Sequence, residues 1–259
     1  MIKVAFSFDD GRKDTYRAYF EIMKKMDIPM TLNTTLGYIE RFIDEKDYPS
    51  MNEPLSCDEL NNLIADENVE IAAHGYKHNN EADNLLLGID KLNDILNRNN
   101  QYVRGIASPQ SKLHYDEIME LKYEFDKRGI NYFRTGDRKN EMSFVKRAVR
   151  KINRKLNIPL LYYYADAPQF MKNDDEYIYY SNCILKNTSL KELEYTVKRL
   201  VNQQQFKGCI LNFHSILKPG EPFYDDLYSW DYDKFNKLCE FLCFMKVNGK
   251  IDICKTSEF

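Results

Sequence analysis

Phe6-Ser7-Phe8-Asp9-Asp10-Gly11 is the stretch that decides how this chain is read. Val4, Phe6 and Phe8 alternate with smaller residues and stop at two carboxylates and a glycine. That pattern predicts a strand running out into a tight turn. An Asp-Asp-Gly turn is commonplace by itself; its company gives it weight. His74 and His78 form an H-x-x-x-H pair behind the largely apolar run Val69-Glu70-Ile71-Ala72-Ala73, and His214 ends the run Cys209-Ile210-Leu211-Asn212-Phe213. Three of the four histidines and a carboxylate pair thus stand where predicted strands stop.

Working outward, hydrophobic periodicity predicts strands at 3–8, 30–34, 69–73, 103–107, 131–134, 208–213 and 250–254, with 160–164 and 177–185 as further candidates. Helices are expected at 13–26, from Ser56 onward, at 81–98, 115–127 and 143–156, from Ser189 to about Gln204, and from Asp231 to Gly249. Ser56 with Glu59 and Ser189 with Glu192 have the spacing of a capping box. The stretch 36–55 reads as irregular. Strand and helix alternate with no repeat and no Pro/Gly/Ser-rich linker, which predicts one α/β domain over residues 1–259. An open doubly wound sheet and a barrel both fit that alternation. The polar residues favour the barrel: Asp9, Asp10, His74, Ser108, Arg134 and His214 come from the C-terminal ends of many strands, where barrel enzymes build their sites. An open sheet would gather its site at one switch point.

Composition narrows the function classes. With 259 residues, 43% of them hydrophobic, the chain can bury a substantial core. A net charge of -3 gives no general reason to expect nucleic acid or an anionic membrane as partner. Met1-Ile2-Lys3 leads straight into the first strand, so no signal peptide is expected, and no apolar run approaches a membrane span. Six cysteines show no C-x-x-C pairing and several fall in apolar patterns; reduced core thiols in a cytoplasmic protein are the expectation.

The clustered residues suit one kind of chemistry. His74 and His78, four apart, share a face on one helical turn. With a carboxylate they form a two-His, one-carboxylate set that leaves coordination positions open. A metal acidifies a bound water, a neighbouring carboxylate takes its proton as the water attacks a carbonyl, and an imidazole from across the site protonates the leaving amine. Asp9, Asp10, His74, His78 and His214 supply one residue for each task. His114 opens a predicted helix and is given no role.

On these residues the chain resembles the polysaccharide deacetylase family, carbohydrate esterase family 4, which includes chitin and peptidoglycan N-deacetylases. Ser7-Phe8-Asp9-Asp10-Gly11 is similar to the family's opening T-F-D-D-G, and His74-Gly75-Tyr76-Lys77-His78 to its H-[ST]-x-x-H, with Gly75 where a hydroxyl is usual. Asn212-Phe213-His214 resembles the closing L-x-H. The resemblance implies Asp9 as base, Asp10, His74 and His78 as metal ligands, and His214 as acid. It implies one divalent ion, zinc first, with cobalt or manganese compatible. The implied fold is a distorted, incomplete (β/α)7 barrel resembling a TIM barrel. The implied reaction removes an N-acetyl (acyl) group from an amino sugar or glycan.

Three departures mark this chain. Ala107-Ser108-Pro109-Gln110 stands where the family has R-x-P-[FY], so the arginine that braces the base is missing, while the Gln110 N–H falls where the family places an oxyanion donor. Asn212 replaces the leucine that walls the acetyl methyl and should point the same way as His214. The family's Asp-and-Trp motif has no clear counterpart; Trp230, with Tyr228 beside it, is the expected substrate contact in the loop after His214. For the missing arginine there is a geometric substitute. Arg134 ends the strand after Ala107, and adjacent strands lie about 4.8 Å apart, so its guanidinium can reach Asp9 from the side. The competing expectation is a surface arginine paired with Asp137.

Further features have plain structural readings. Tyr162–Tyr164 and Tyr177, Tyr179 and Tyr180 suit sugar stacking but equally suit half-buried strands. The basic face over 146–155 is a solvated face, or a contact for the phosphate of a nucleotide- or lipid-linked sugar. Other classes also fit the residues: hydrolysis of another C–N bond (a cyclic amide or N-formyl group), a two-His, one-carboxylate iron oxygenase, and a carbohydrate-binding protein that has lost catalysis.

Overall fold

A computed structural model describes residues 1–42, 53–136, 144–156 and 170–259. Seven parallel strands close on themselves: β1 (Ile2–Phe8), β2 (Met30–Thr34), β3 (Val69–Ala73), β4 (Gly105–Ala107), β5 (Tyr132–Thr135), β7 (Ile178–Cys183) and β8 (Phe206–Phe213). The closing seam pairs β1 with β8 from Lys3↔Gly208 to Phe8↔Phe213. This is the (β/α)7 barrel that the family resemblance implies, and a barrel rather than an open sheet, as the strand-end polar residues favour.

Two further strands distort it. β11 (Ile251–Cys254) pairs with the first half of β1, while β2 takes only Ser7 and Phe8 at the other end of that edge. β6 (Phe170–Lys172) runs antiparallel along the first half of β8, while β7 takes residues 210–212 beyond it. Both intruders therefore splay the barrel at its N-terminal end. The C-terminal end, where β1, β2, β7 and β8 come together, stays closed. A small pair, β9 (Ser215–Leu217) and β10 (Ser229–Asp231), follows β8 and was not expected from the periodicity. The candidate strand at 160–164 lies outside the described residues.

Strand alternation divides the core. Val4, Phe6 and Phe8 join Phe213, Phe235 and Trp230 in the large apolar layer under the helices. Ala5, Tyr132, Tyr179, Ile210, Met171 and Cys254 form a separate cluster inside the barrel. On the same inward parity follow Ser7 and Asp9, Asn33, His74, Arg134, Ser181 and Asn212, all buried. The interior is thus apolar below and polar above.

The helices sit where their signals predict. Cys57–Ile64 starts at Ser56, whose hydroxyl accepts from the Glu59 N–H in a full capping box. Leu190–Val201 starts at Ser189 and Tyr232–Val247 at Asp231, each cap accepting a backbone N–H three residues on. The expected helix at 13–26 is α only over Lys13–Ala18, then loosens through a π turn and a 3-10 turn. β4 is shorter than expected because the Val103 N–H bonds the Asn93 side chain rather than a neighbouring strand. The basic helix is present as Phe144–Leu156, with Phe144, Val145, Ile152 and Leu156 exposed. No helix among the described residues is long and apolar enough to cross a membrane.

Candidate active site

Six strand ends converge at the closed end of the barrel. β1 delivers Asp9 and Asp10 in succession. Asp10 adopts a left-handed φ of 77°, and Gly11 follows at 74°, which turns the two carboxylates in different directions. A single extended run would have placed them on opposite faces.

Asp9 is bound by donors from three strands. Arg134 Nη2 donates to Oδ1 at 2.6 Å, Asn33 Nδ2 to the same oxygen at 2.8 Å, and Asn212 Nδ2 to Oδ2 at 3.0 Å. His214 Nε2 stands 3.7 Å from Oδ2. Burial pushes the Asp9 carboxyl up, but Arg134, His74 and His214 outweigh it and hold the group at about 2. Arg134 is fully buried, and its other arm, Nη1, donates to Ser181 Oγ at 2.9 Å. β5 sets Arg134 directly beside Ala107 of β4. The guanidinium that motif position 107 cannot supply thus enters from the neighbouring strand.

Asp10 is the second carboxylate, and its two oxygens differ. Oδ2 accepts from Arg12 Nε at 3.0 Å and Nη2 at 2.5 Å. Oδ1 is buried with no hydrogen-bond partner. It faces His78 Nε2 at 3.2 Å and His74 Nε2 at 3.5 Å. His74 Nδ1 lies 3.0 Å from the Ala107 carbonyl, which can only accept, so Nδ1 carries the proton and Nε2 offers a lone pair. Burial lowers the His74 pKa to about 4, against the pull of Asp9, so the ring is neutral at neutral pH. One oxygen and two imidazole nitrogens lie within 4.8 Å of one another. A buried oxygen without a hydrogen-bond partner, facing the His74 Nε2 lone pair and the His78 Nε2, fits a divalent cation.

Backbone geometry explains the H-x-x-x-H turn. Gly75 has φ 72°, and a Cβ there would lie 2.7 Å from Asn84 Nδ2 and 3.1 Å from the Asn79 carbonyl. Asn84 in turn receives the Lys77 N–H and donates to Asn79, locking the turn that presents both rings. A serine or threonine does not fit beside that asparagine.

His214 follows β8, with Tyr228 packed on its ring at 4.8 Å between centroids. Burial lowers its pKa, opposed by Asp9 and Asp10. Its Nδ1 has no hydrogen-bond partner.

The structure brings Asp9, Asp10, His74, His78, His214, Arg134 and Asn212 together. Others stand apart from expectation. Asn212 faces the site, but its amide is committed to Asp9 rather than presented as a pocket wall. Trp230 is only 1% exposed, donates its Nε1 proton to the Thr188 carbonyl and packs on Phe213. It is a core residue with no surface for a substrate, because β10 turns it onto Phe213 and the Thr188 carbonyl. Its neighbour Tyr228, 40% exposed, is the aromatic beside the site. Gln110 is exposed on a left-handed turn (φ 56°) after β4. Tyr179 stacks on Tyr132 in the barrel floor, and Tyr162–Tyr164 lie outside the described residues. His114 caps the 115–126 helix at the surface. The sequence reading missed Asn33, Ser181 and Arg12. Asn33 carried a signal, a carboxamide inside an otherwise strand-like run; Arg12 and Ser181 carried none.

Comparison with known proteins agrees with this geometry. Residues 2–115 match the family model for polysaccharide deacetylase. No curated protein sequence matches the chain. Among solved structures, one from Mycobacterium smegmatis assigned to the polysaccharide deacetylases aligns with TM-score 0.55 at 14% identity, covering 99% of this chain and 88% of that one. The Bc1960 peptidoglycan N-acetylglucosamine deacetylase aligns with TM-score 0.53 at 16% identity, covering 99% and 86%. A carbohydrate esterase family 4 pseudoenzyme from Bacillus anthracis aligns with TM-score 0.49 at 15% identity; this chain spans 64% of its length, just under two thirds. At these identities the structural likeness speaks for the barrel, and the family match speaks for the segment that holds Asp9, Asp10, His74 and His78. The likeness to the polysaccharide deacetylase family thus covers residues 2–115, the part of the chain that carries these four residues.

Proposed function

We propose that the protein is a metal-dependent hydrolase that removes an N-acetyl (acyl) group from an amino-sugar substrate. One observation carries the reading. The unpartnered Oδ1 of Asp10 faces two imidazole Nε2 atoms, and a second, arginine-braced carboxylate lies beside them. Asp10, His74 and His78 would hold one divalent ion, zinc by its preference for nitrogen and carboxylate ligands with an open position. When bound, that ion acidifies a water and polarises the acyl oxygen.

The chain's own residues do the rest. Asp9, held ionised, accepts the proton of the attacking water. Arg134 and Asn33 fix its Oδ1, leaving Oδ2 on the side of His214. His214 gives a proton to the departing amine, and the 3.7 Å gap to Asp9 lets the proton taken up there replace it. Tyr228, half exposed beside His214, offers a ring face to the sugar. A phosphate-linked sugar is compatible with the basic helix. Six cysteines without a disulfide suit a reducing, cytoplasmic setting.

The test is acetate release from free, polymeric and nucleotide-linked N-acetylated sugars, with and without Zn²⁺, Co²⁺ or Mn²⁺. Release that depends on added metal and is lost in His78→Ala together with bound metal is the expected result. Metal content unchanged in His78→Ala rejects the ligand set, and no acetate from any sugar rejects the substrate class.

A further inference from the structure

Arg12 belongs to no role described so far, yet it is 97% buried against the candidate metal centre. We propose that Arg12 keeps Asp10 a one-oxygen ligand and thereby keeps a coordination position open; the inference rests on the metal-centre reading above.

The geometry is specific to one oxygen. Two guanidinium donors, Nε and Nη2, both end on Asp10 Oδ2, and neither reaches Oδ1. The third donor, Nη1, is anchored on Ser215 Oγ at 2.7 Å, one residue beyond His214. Arg12 is 3% exposed, so water does not compete for these bonds. Charge-assisted bonds of this kind are about twice as strong as neutral ones, and the planar fork fixes the carboxylate plane as well as its position. The left-handed φ of Asp10 and the Ser215 anchor hold the pair from both sides.

The consequence is chemical. A carboxylate with both oxygens free can chelate a cation through both. Two imidazoles and a chelating carboxylate supply four ligand atoms, which completes the set a zinc-type ion prefers and leaves no position for water or an acyl oxygen. With Oδ2 saturated by Arg12, Asp10 contributes Oδ1 alone, and three protein atoms leave the fourth position open. Arg12 is thus a positioning residue. Its fork also couples the ligand Asp10 to the β8–β9 segment that carries His214.

A simpler role would be charge compensation for a buried Asp10 without effect on coordination. Cobalt spectroscopy separates the two, because the visible bands of Co²⁺ lose intensity and shift as coordination number rises. The native protein and Arg12→Met, Arg12→Gln and Arg12→Lys are each loaded with Co²⁺ as the full chain. Arg12→Met is expected to keep one Co²⁺ per chain, to show a weaker, shifted band, and to lose roughly 10–100-fold in turnover, the usual scale for outer-shell partners. Arg12→Lys, which restores a cationic donor to Oδ2, is expected to return the native band. If Arg12→Met does not fold, Arg12→Gln, with one neutral donor, shifts the band the same way. A native band in whichever of Arg12→Met and Arg12→Gln folds overturns the proposal, whatever happens to activity. Failure of the native protein to bind Co²⁺ rejects the metal centre itself, a distinct result.

Discussion

Asp9 shows how a carboxylate is tuned in a buried site. Its ordinary carboxyl value of 3.8 is pulled to about 2 although burial works the other way, so the Arg134 guanidinium dominates the balance. Arg134→Ala should leave metal content intact and lower the rate. The acidic limb of the pH–rate profile should move up, because burial persists while its compensation is gone. The same shift bears on stability. A depressed folded pKa contributes stability that is present above pH 3.8 and lost as pH falls through about 2, here about 2 kcal/mol. Acid unfolding of Arg134→Ala should therefore begin at higher pH than that of the native protein. Asp9→Asn should keep the metal and lose on the order of 10²–10⁴ in turnover, since an amide cannot accept the proton; a near-native rate would place the base elsewhere. Gly75 offers a third residue-scale test. A side chain there meets Asn84 at 2.7 Å on a left-handed backbone, so Gly75→Ser should displace the turn and weaken metal binding by roughly 10–100-fold in a chelator competition. The family's usual hydroxyl would thus harm this protein.

At the scale of elements, the barrel is uneven. β3 and β4 share a single paired position, Ala73↔Ile106, and the His74 side chain supplies the next link across that seam through the Ala107 carbonyl. A candidate metal ligand therefore doubles as a ladder bond where the ladder is thinnest. The barrel interior is also crowded at β4. A Cβ on Gly105 would lie 1.9 Å from the Tyr132 ring, which stacks on Tyr179 and donates its hydroxyl proton to Glu70. Gly105→Ala should cost about 1–3 kcal/mol, the usual penalty for overpacking a filled core. Denaturant unfolding checks it, and a loss below 0.5 kcal/mol (roughly the surface-substitution level) would mean that the ring has room to move.

At the scale of the molecule, the two barrel ends have opposite characters. The closed end holds the candidate site; the splayed end is plugged by the chain's last residues. Glu70 sits in that floor and accepts from Thr31 Oγ1, Tyr132 Oη and the Ser257 N–H, while the Thr256 N–H bonds Thr31. Phe259 packs beside Tyr179. Burial raises the Glu70 pKa above its ordinary 4.5 despite these donors. A raised folded pKa means the folded state binds the proton more tightly. Its contribution is present below pH 4.5 and lost as pH rises through the folded value. Glu70→Gln removes that term, so the variant should lose less stability than the native protein as pH rises above 4.5 in parallel urea titrations. An identical pH slope for both would show that Glu70 titrates normally.

Much of this was legible before any coordinates. Strand–helix alternation with polar residues at strand ends determined the barrel, because side-chain parity and strand direction are local properties. The spacing of His74 and His78 and the Asp9-Asp10-Gly11 turn were equally local. Arg134 came within reach of inference because neighbouring strands have a fixed separation. What the sequence could not decide was every relation that depends on how distant segments pack. Trp230 reads as a loop aromatic until the fold packs it on Phe213 and the Thr188 carbonyl, 17 and 42 positions away in sequence. Ser181 joins Arg134 across 47 positions, Asn33 joins Asp9 across 24, and Arg12 reaches Ser215 across 203. A hydrogen bond between residues so far apart has no periodicity to announce it. Closure of β1 on β8 brings these side chains to one end of the barrel, and only there does the difference between the two oxygens of Asp10 arise.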